Sequence, residues 1–211
     1  MGVVIAALTG LFHYLPHAVL AATIIVAVVS LIDVETLREA WHYDKADAMA
    51  LLATAGGVIA LGVEVGILMG VALSLGTLVW RSSHPHIAVV GRVPGTEHFR
   101  NVARHAVTTE PGLIAVRVDE SLYFANSDAL LDKVESLVAA QPDTHYVLLV
   151  CSAINQIDTT ALGVLTDLER SLAQRGMAML LAEVKGPVLD RLQTTPLGLR
   201  LEGRVFLSTH A

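Results

Sequence analysis

The segment YVLLVCSAINQIDTTALGVLTDL, Tyr146–Leu168, decides the fold. Its first eight residues, Tyr146–Ala153, are a continuous apolar run, the pattern of a central strand covered on both faces. Then the period changes. Leu162, Leu165, Leu168 and Leu172 recur at helical spacing, so a helix is expected over Thr159–Arg175. Between strand and helix stand Asp158, Thr159 and Thr160. An Asp directly before a helix reads as its N-cap, accepting from free first-turn N–H groups. The two threonines fall in that first turn, where unpaired N–H groups and the helix dipole favour negative charge. Spacing leaves two readings open: a structural cap, or a place where a phosphate is attached or an anion docks.

Working outward, the same alternation recurs. Strands are expected at Ile87–Val93, Leu113–Asp119, Ser121–Ala125, Met177–Val184 and Arg204–Thr209. A helix is expected over Ser127–Ala140, with Ser127 as N-cap and Leu130, Leu131, Val134, Leu137 and Val138 on one face. Another is expected over Gly186–Thr195, with proline in its first turn. Alternation of this kind predicts an α/β domain, a central sheet flanked by helices.

The front of the chain is different. Residues 1–81 hold three Lys/Arg and six Asp/Glu, against eleven and fourteen in residues 82–211. Residues 14–32 run for nineteen positions without a charged side chain, close to the roughly 20 needed to cross a bilayer. The opening residues have no basic group ahead of their apolar run, so they do not read as a signal peptide. They read as the tail of a membrane helix over residues 1–12. Asp33–Asp47 reads as a short amphipathic helix along the membrane surface, with Trp41 and Tyr43 at headgroup level. Ala48–Trp80 carries one charge, Glu64. As a single helix it would be about 50 Å long, so two legs joined by a tight turn at Glu64 are expected, over residues 48–62 and 65–80. Arg38 and Lys45 in the first loop, and Arg81, Arg92, Arg100 and Arg104 after the last leg, place both regions on the cytoplasmic side.

Composition also excludes. A net charge of −6, shared between the halves, argues against nucleic acid as a partner. A lone cysteine, Cys151, forms no intrachain disulfide and reads as a buried thiol in a reducing compartment. No Gly-rich phosphate loop, H-E-x-x-H or G-x-S-x-G occurs, so an enzyme is not expected. His84 and His86 flank Pro85 with no carboxylate or cysteine beside them in sequence, so no metal and no cofactor is expected.

The motif IDTTALGVLTDL resembles the signature loop of STAS domains, and the text before it is similar to successive landmarks of bacterial SulP anion permeases: LPHAVLAATIIVAVVSLID, LGVEVGILMGVALSL, HPHIAVVGRVPGTEHFRNV and SLYFANSDAL. The resemblance implies α-helical transmembrane segments followed by an α/β STAS domain with a mixed central sheet. It divides the chain into membrane helices over residues 1–81, a linker and first strand over 82–95, and a cytoplasmic STAS domain over 96–211. It further implies a secondary active transporter of sulfate, bicarbonate or a similar anion, dimeric, in the bacterial inner membrane. The half-helices that bind the anion in that family are not in this sequence, so the chain is expected to work beside further transporter helices. The resemblance marks Asn155, Asp158, Thr159, Thr160 and Ala161 as the loop that contacts an anion, a nucleotide or a regulatory protein, with Thr160 at the phospho-acceptor position. The rival reading is a membrane-tethered STAS signalling module switched by phosphorylation at Thr160.

Overall fold

The computed structural model describes residues 17–29 and 33–210. The chain forms two compact units, Met1–Leu75 and Gly76–Ala211.

In the first unit, α1 (His17–Val29) buries no residue. The ends of the span expected at 14–32, and the helix tail expected at 1–12, lie outside the described residues. The surface helix α2 (Val34–Tyr43) starts at Asp33, whose Oδ1 accepts from Thr36 N at 3.0 Å. It is shorter than the expected stretch. Asp44 ends it by donating its N–H to Ala40 O at 2.8 Å. The Asp44 carboxylate then opens α3 (Lys45–Leu61) by accepting from Ala46 N at 2.8 Å.

The turn expected at Glu64 falls two residues earlier. Gly62 breaks the helix at φ 93°, a left-handed conformation that favours glycine. Glu64 is an exposed residue in the first turn of α4 (Val63–Ser83). Glycines let the two legs meet along their backbones. A Cβ added to Gly66 would lie 2.4 Å from Val58 N, and one added to Gly70 would lie 2.5 Å from Thr54 Oγ1. Partners that advance on one leg as they retreat on the other define an antiparallel hairpin with a small-residue seam. Two helical stretches, one beginning at His17 and one being α4, are long and apolar enough to cross a bilayer.

The second unit holds a six-stranded mixed sheet in the order β2–β1–β3–β4–β5–β6. Its strands are β1 (Ile87–Arg92), β2 (Phe99–Asn101), β3 (Leu113–Val118), β4 (Tyr146–Val150), β5 (Ala178–Ala182) and β6 (Val205–Phe206). β1 is antiparallel to both neighbours, and β3 to β6 are parallel. Helices α5 (Ser127–Ala140), α6 (Thr159–Gln174), α7 (Gly186–Gln193) and α8 (Pro196–Arg200) make the crossovers. The larger core joins Ile114, Val116 and Leu149 of the sheet to Leu130, Leu165 and Leu197 of α5, α6 and α8. On the other face Ala88, Val90, Ala115, Leu148, Val150 and Ala182 form a second core with Phe99 and Phe206.

Several local expectations are corrected. Ser121–Ala125 is not a strand: it makes one bridge, Leu122 to Ile157. Asn126 curls the segment into a turn, its Oδ1 accepting from Tyr123 N (3.0 Å) and its Nδ2 donating to Ser121 O (2.9 Å). Asn126 is therefore the residue ahead of α5, and Ser127 is its first helical residue, with a buried Oγ. The last strand stops at Phe206, beyond which the Thr209 hydroxyl donates to Glu183 Oε1 at 2.6 Å. β2 and α8 were not expected at all. α8 is capped by Thr195, whose Oγ1 accepts from Gly198 N at 3.2 Å.

One charged side chain lies in the core. Glu169 of α6 is 5% exposed; its Oε2 accepts from Arg200 Nε at 2.8 Å, and its Oε1 stands 3.7 Å from Arg204 Nη1. Burial, helped by the nearby Glu183 charge, pushes the Cys151 thiol up to about 12. The thiolate is the reactive species, so in the full chain held in detergent Cys151 reacts with a maleimide only when the domain opens. Glu169→Ala leaves two guanidiniums without their buried partner at a cost of about 2 kcal/mol. The labelling rate of Cys151 then rises on the order of thirtyfold. An unchanged rate would show that these ion pairs contribute nothing to stability.

Candidate functional site: the loop ahead of α6 and its groove

Parallel β4 and β5 end at one rim of the sheet, and the helices that follow them start there side by side. α6 starts at Thr159 and α7 at Gly186. Both present N-terminal N–H groups and the positive ends of their dipoles to this rim, the usual place for ligands in open α/β sheets.

Asp158 organises the rim. Its Oδ1 accepts from Ala161 N at 2.8 Å, the N-cap bond of α6. Its Oδ2 accepts from Phe124 N at 2.9 Å, reaching across to the turn ahead of α5. The Asp158 N–H donates to Leu122 O at 3.1 Å, and Leu122 N donates to Gln156 O at 3.0 Å. Asn155 is held by its N–H to Ser121 Oγ (3.2 Å) and its Nδ2 to Ala153 O (3.2 Å), while Lys185 Nζ donates to its Oδ1. The cap reading of Asp158 and its place in a loop against a second segment are therefore the same geometry.

A groove of about 500 Å³ runs along this loop, with Asn155, Asp158 and Thr159 on one side and Pro187, Arg191 and Thr195 on the other. Three of the five residues marked by the sequence thus border one cavity. Thr160 is exposed in the first turn of α6 and does not line the groove. Ala161 is fully buried, and its N–H is taken by Asp158, so it supports the loop from beneath. Sequence reading missed the far wall. Pro187 and Arg191 lie about thirty residues downstream, and only the rule that parallel neighbours place their following helices together would have found them.

The two linker histidines go separate ways. His84 packs on Trp80 with ring centroids 5.0 Å apart, and His86 Nδ1 lies 2.7 Å from Asp119 Oδ2. Among the described residues no group of three His, Cys, Asp or Glu side chains is arranged to hold a metal ion.

Comparison with known proteins follows the same division. Residues 1–54 match the sulfate permease family, and residues 104–211 match the STAS domain. The chain is 35% identical to sulfate transporter 1.3 of Arabidopsis thaliana over 198 residues, covering 89% of this chain and 30% of that protein. It is 31% identical to high affinity sulfate transporter 2 of Stylosanthes hamata over 212 residues, covering 95% of this chain and 32% of that protein. The fold matches the structure of the murine Solute Carrier 26 family member A9 anion transporter in its inward-facing state. That match has a TM-score of 0.78 at 21% identity, over 92% of this chain and 31% of that one. The chain thus spans about a third of the length of the relatives it matches. With a sulfate permease segment leading and a STAS domain filling the second half, the chain belongs to the sulfate permease (SulP) family.

Proposed function

We propose that the chain supplies the membrane-exit helices and the regulatory domain of a secondary active anion transporter of the sulfate type. The observation that carries this reading is the run of sulfate transporters among its relatives, aligned over nearly the whole chain from the membrane helices through the STAS domain. On this reading residues 1–81 sit in lipid, 82–95 link, and 96–211 lie on the cytoplasmic side of a bacterial cell membrane. The working unit is a homodimer completed by further transporter helices. The stretch that begins at His17, and α4, suit the span by length and composition. The relatives being transporters, the signalling-module reading is not favoured.

The STAS domain controls transport or docks a cytoplasmic regulator through the loop ahead of α6. Asn155, Asp158, Thr159, Thr160 and Ala161 build that loop. Two helix N-termini and Arg191 make its groove attractive to an anionic or nucleotide ligand. Thr160, exposed in the first turn, is the phospho-acceptor position.

The test is a chimera in which this chain replaces the matching third of a plant sulfate transporter, expressed in yeast lacking sulfate uptake. Restored uptake of labelled sulfate supports the reading; a chimera that reaches the cell surface and carries no sulfate overturns it. Within it, Thr160→Asp keeps the fold, because an acid in the first helical turn is favourable by about 0.3–1 kcal/mol. It lowers uptake about fivefold, the scale of a coupling near 1 kcal/mol; unchanged uptake would remove the loop from regulation.

The loop has its own check. Asp158→Ala removes a cap worth about 1 kcal/mol, so amide exchange at Ala161 and Phe124 accelerates about fivefold. Asp158→Asn keeps a side-chain acceptor and most of the protection. Unaltered exchange at Phe124 would mean that the bridge across the rim carries no weight.

A further inference from the structure

Five basic side chains gather at the end of the sheet where the chain leaves α4. His86 follows Ser83, the last residue of α4, by three positions, so it lies within about 11 Å of the helix end by chain length alone. β2 and β3 run antiparallel to β1, so both carry their carboxyl ends back along the start of β1. β3 brings Arg117 and Asp119, and Asp119 N donates to His86 O at 3.1 Å. β2 brings a tight turn, 101–105. Val102 N donates to Val89 O, and the N–H groups of Arg104 and His105 both donate to Asn101 O, each at 3.1 Å. The Asn101 side chain closes the turn by accepting from Ala103 N at 2.8 Å. Together His86, Arg100, Arg104, His105, Arg117 and Asp119 line an open cavity of about 410 Å³.

Three guanidiniums and two imidazoles thus face one carboxylate. That carboxylate is already engaged: Arg117 donates to it through Nε (2.6 Å) and Nη2 (3.2 Å), and His86 Nδ1 lies 2.7 Å away. Partial burial raises the Asp119 pKa, but the bonds from Arg117 and His86 outweigh it and hold the group below the usual carboxylate range. Arg100 and Arg104 are exposed, and among the described residues neither pairs with a carboxylate. A cavity with surplus positive charge and planar forked donors suits an anion with several oxygens.

We propose that this cavity binds the anionic headgroup of a membrane lipid at the point where α4 leaves the bilayer. The inference rests on the reading of α4 as a membrane helix given above. What selects a lipid over a free ion is place. The cavity is tied within a few residues to a helix of bilayer length whose last turns expose Trp80, a residue type suited to the headgroup layer. A leaflet rich in anionic lipid attracts juxtamembrane basic groups at just that depth.

The test uses the full chain in nanodiscs of phosphatidylcholine alone and in nanodiscs with a fifth of the lipid replaced by phosphatidylserine. Hydrogen exchange is followed over residues 99–106 and 115–120, with β4 as internal reference. Anionic lipid slows exchange in both windows and leaves β4 unchanged. Arg100→Gln with Arg104→Gln weakens the attraction about fivefold per arginine, on the order of 25-fold together, so the added protection is lost. Exchange that ignores lipid charge overturns the proposal. So does equal protection from millimolar inorganic phosphate in phosphatidylcholine discs, which identifies a free-anion site. A chain that does not co-elute with the discs refutes the membrane reading itself, a failure separate from that of the cavity.

Discussion

One carboxylate holds the rim of the STAS domain together. Asp158 accepts from the first turn of α6 with one oxygen and from the turn ahead of α5 with the other. Two of the three crossovers on the main core face therefore begin at the same side chain. α6 then commits Leu165, Leu168 and Leu172 to the core, along with the buried Glu169 that ties Arg200 of α8 to it. The preceding turn, closed by Asn126, sets Leu130 and Val134 on the same face. A residue that reads locally as a helix cap acts non-locally as a joint between two segments more than thirty positions apart.

This explains what was legible in the sequence. β4 and α6 could be read directly, because a fully apolar run and a leucine repeat at helical spacing leave little room for another structure. The Asp158 cap was legible for the same reason: it is a contact between residues three apart. The segment 121–125 misled because Leu122, Tyr123 and Phe124 form a short run of large apolar and aromatic residues like a strand. In the fold Leu122 is buried and Phe124 is 67% exposed, yet the Asn126 turn and the Asp158 bridge take the backbone groups a ladder would have used. Glu64 drew attention as the charge in an apolar run, whereas the chain breaks at Gly62, where the backbone needs a positive φ. The far wall of the groove was invisible, since Arg191 comes to border the same cavity as Asp158 only through the parallel pairing of β4 and β5.

The sheet topology also brings the two candidate sites to one rim. β3, β4 and β5 are parallel, so the carboxyl end of β3, with Arg117 and Asp119, lies at the same edge as the loop ahead of α6. β1 enters from α4 at that edge because it is antiparallel to β3. The linker, the basic cavity and the capped loop therefore share one border of the domain, and the segment 119–126 runs between them. A change at either place has a short path through packed backbone to the other.

The glycine seam between α3 and α4 has a mechanical meaning. At Gly66 the backbone of one leg packs directly on that of the other at Val58, and at Gly70 only the short Thr54 side chain stands between them, so little side-chain layer is left to compress or shear. The hairpin is consequently a stiff spar: between Gly62 and Gly70, tilting one leg obliges the other to follow.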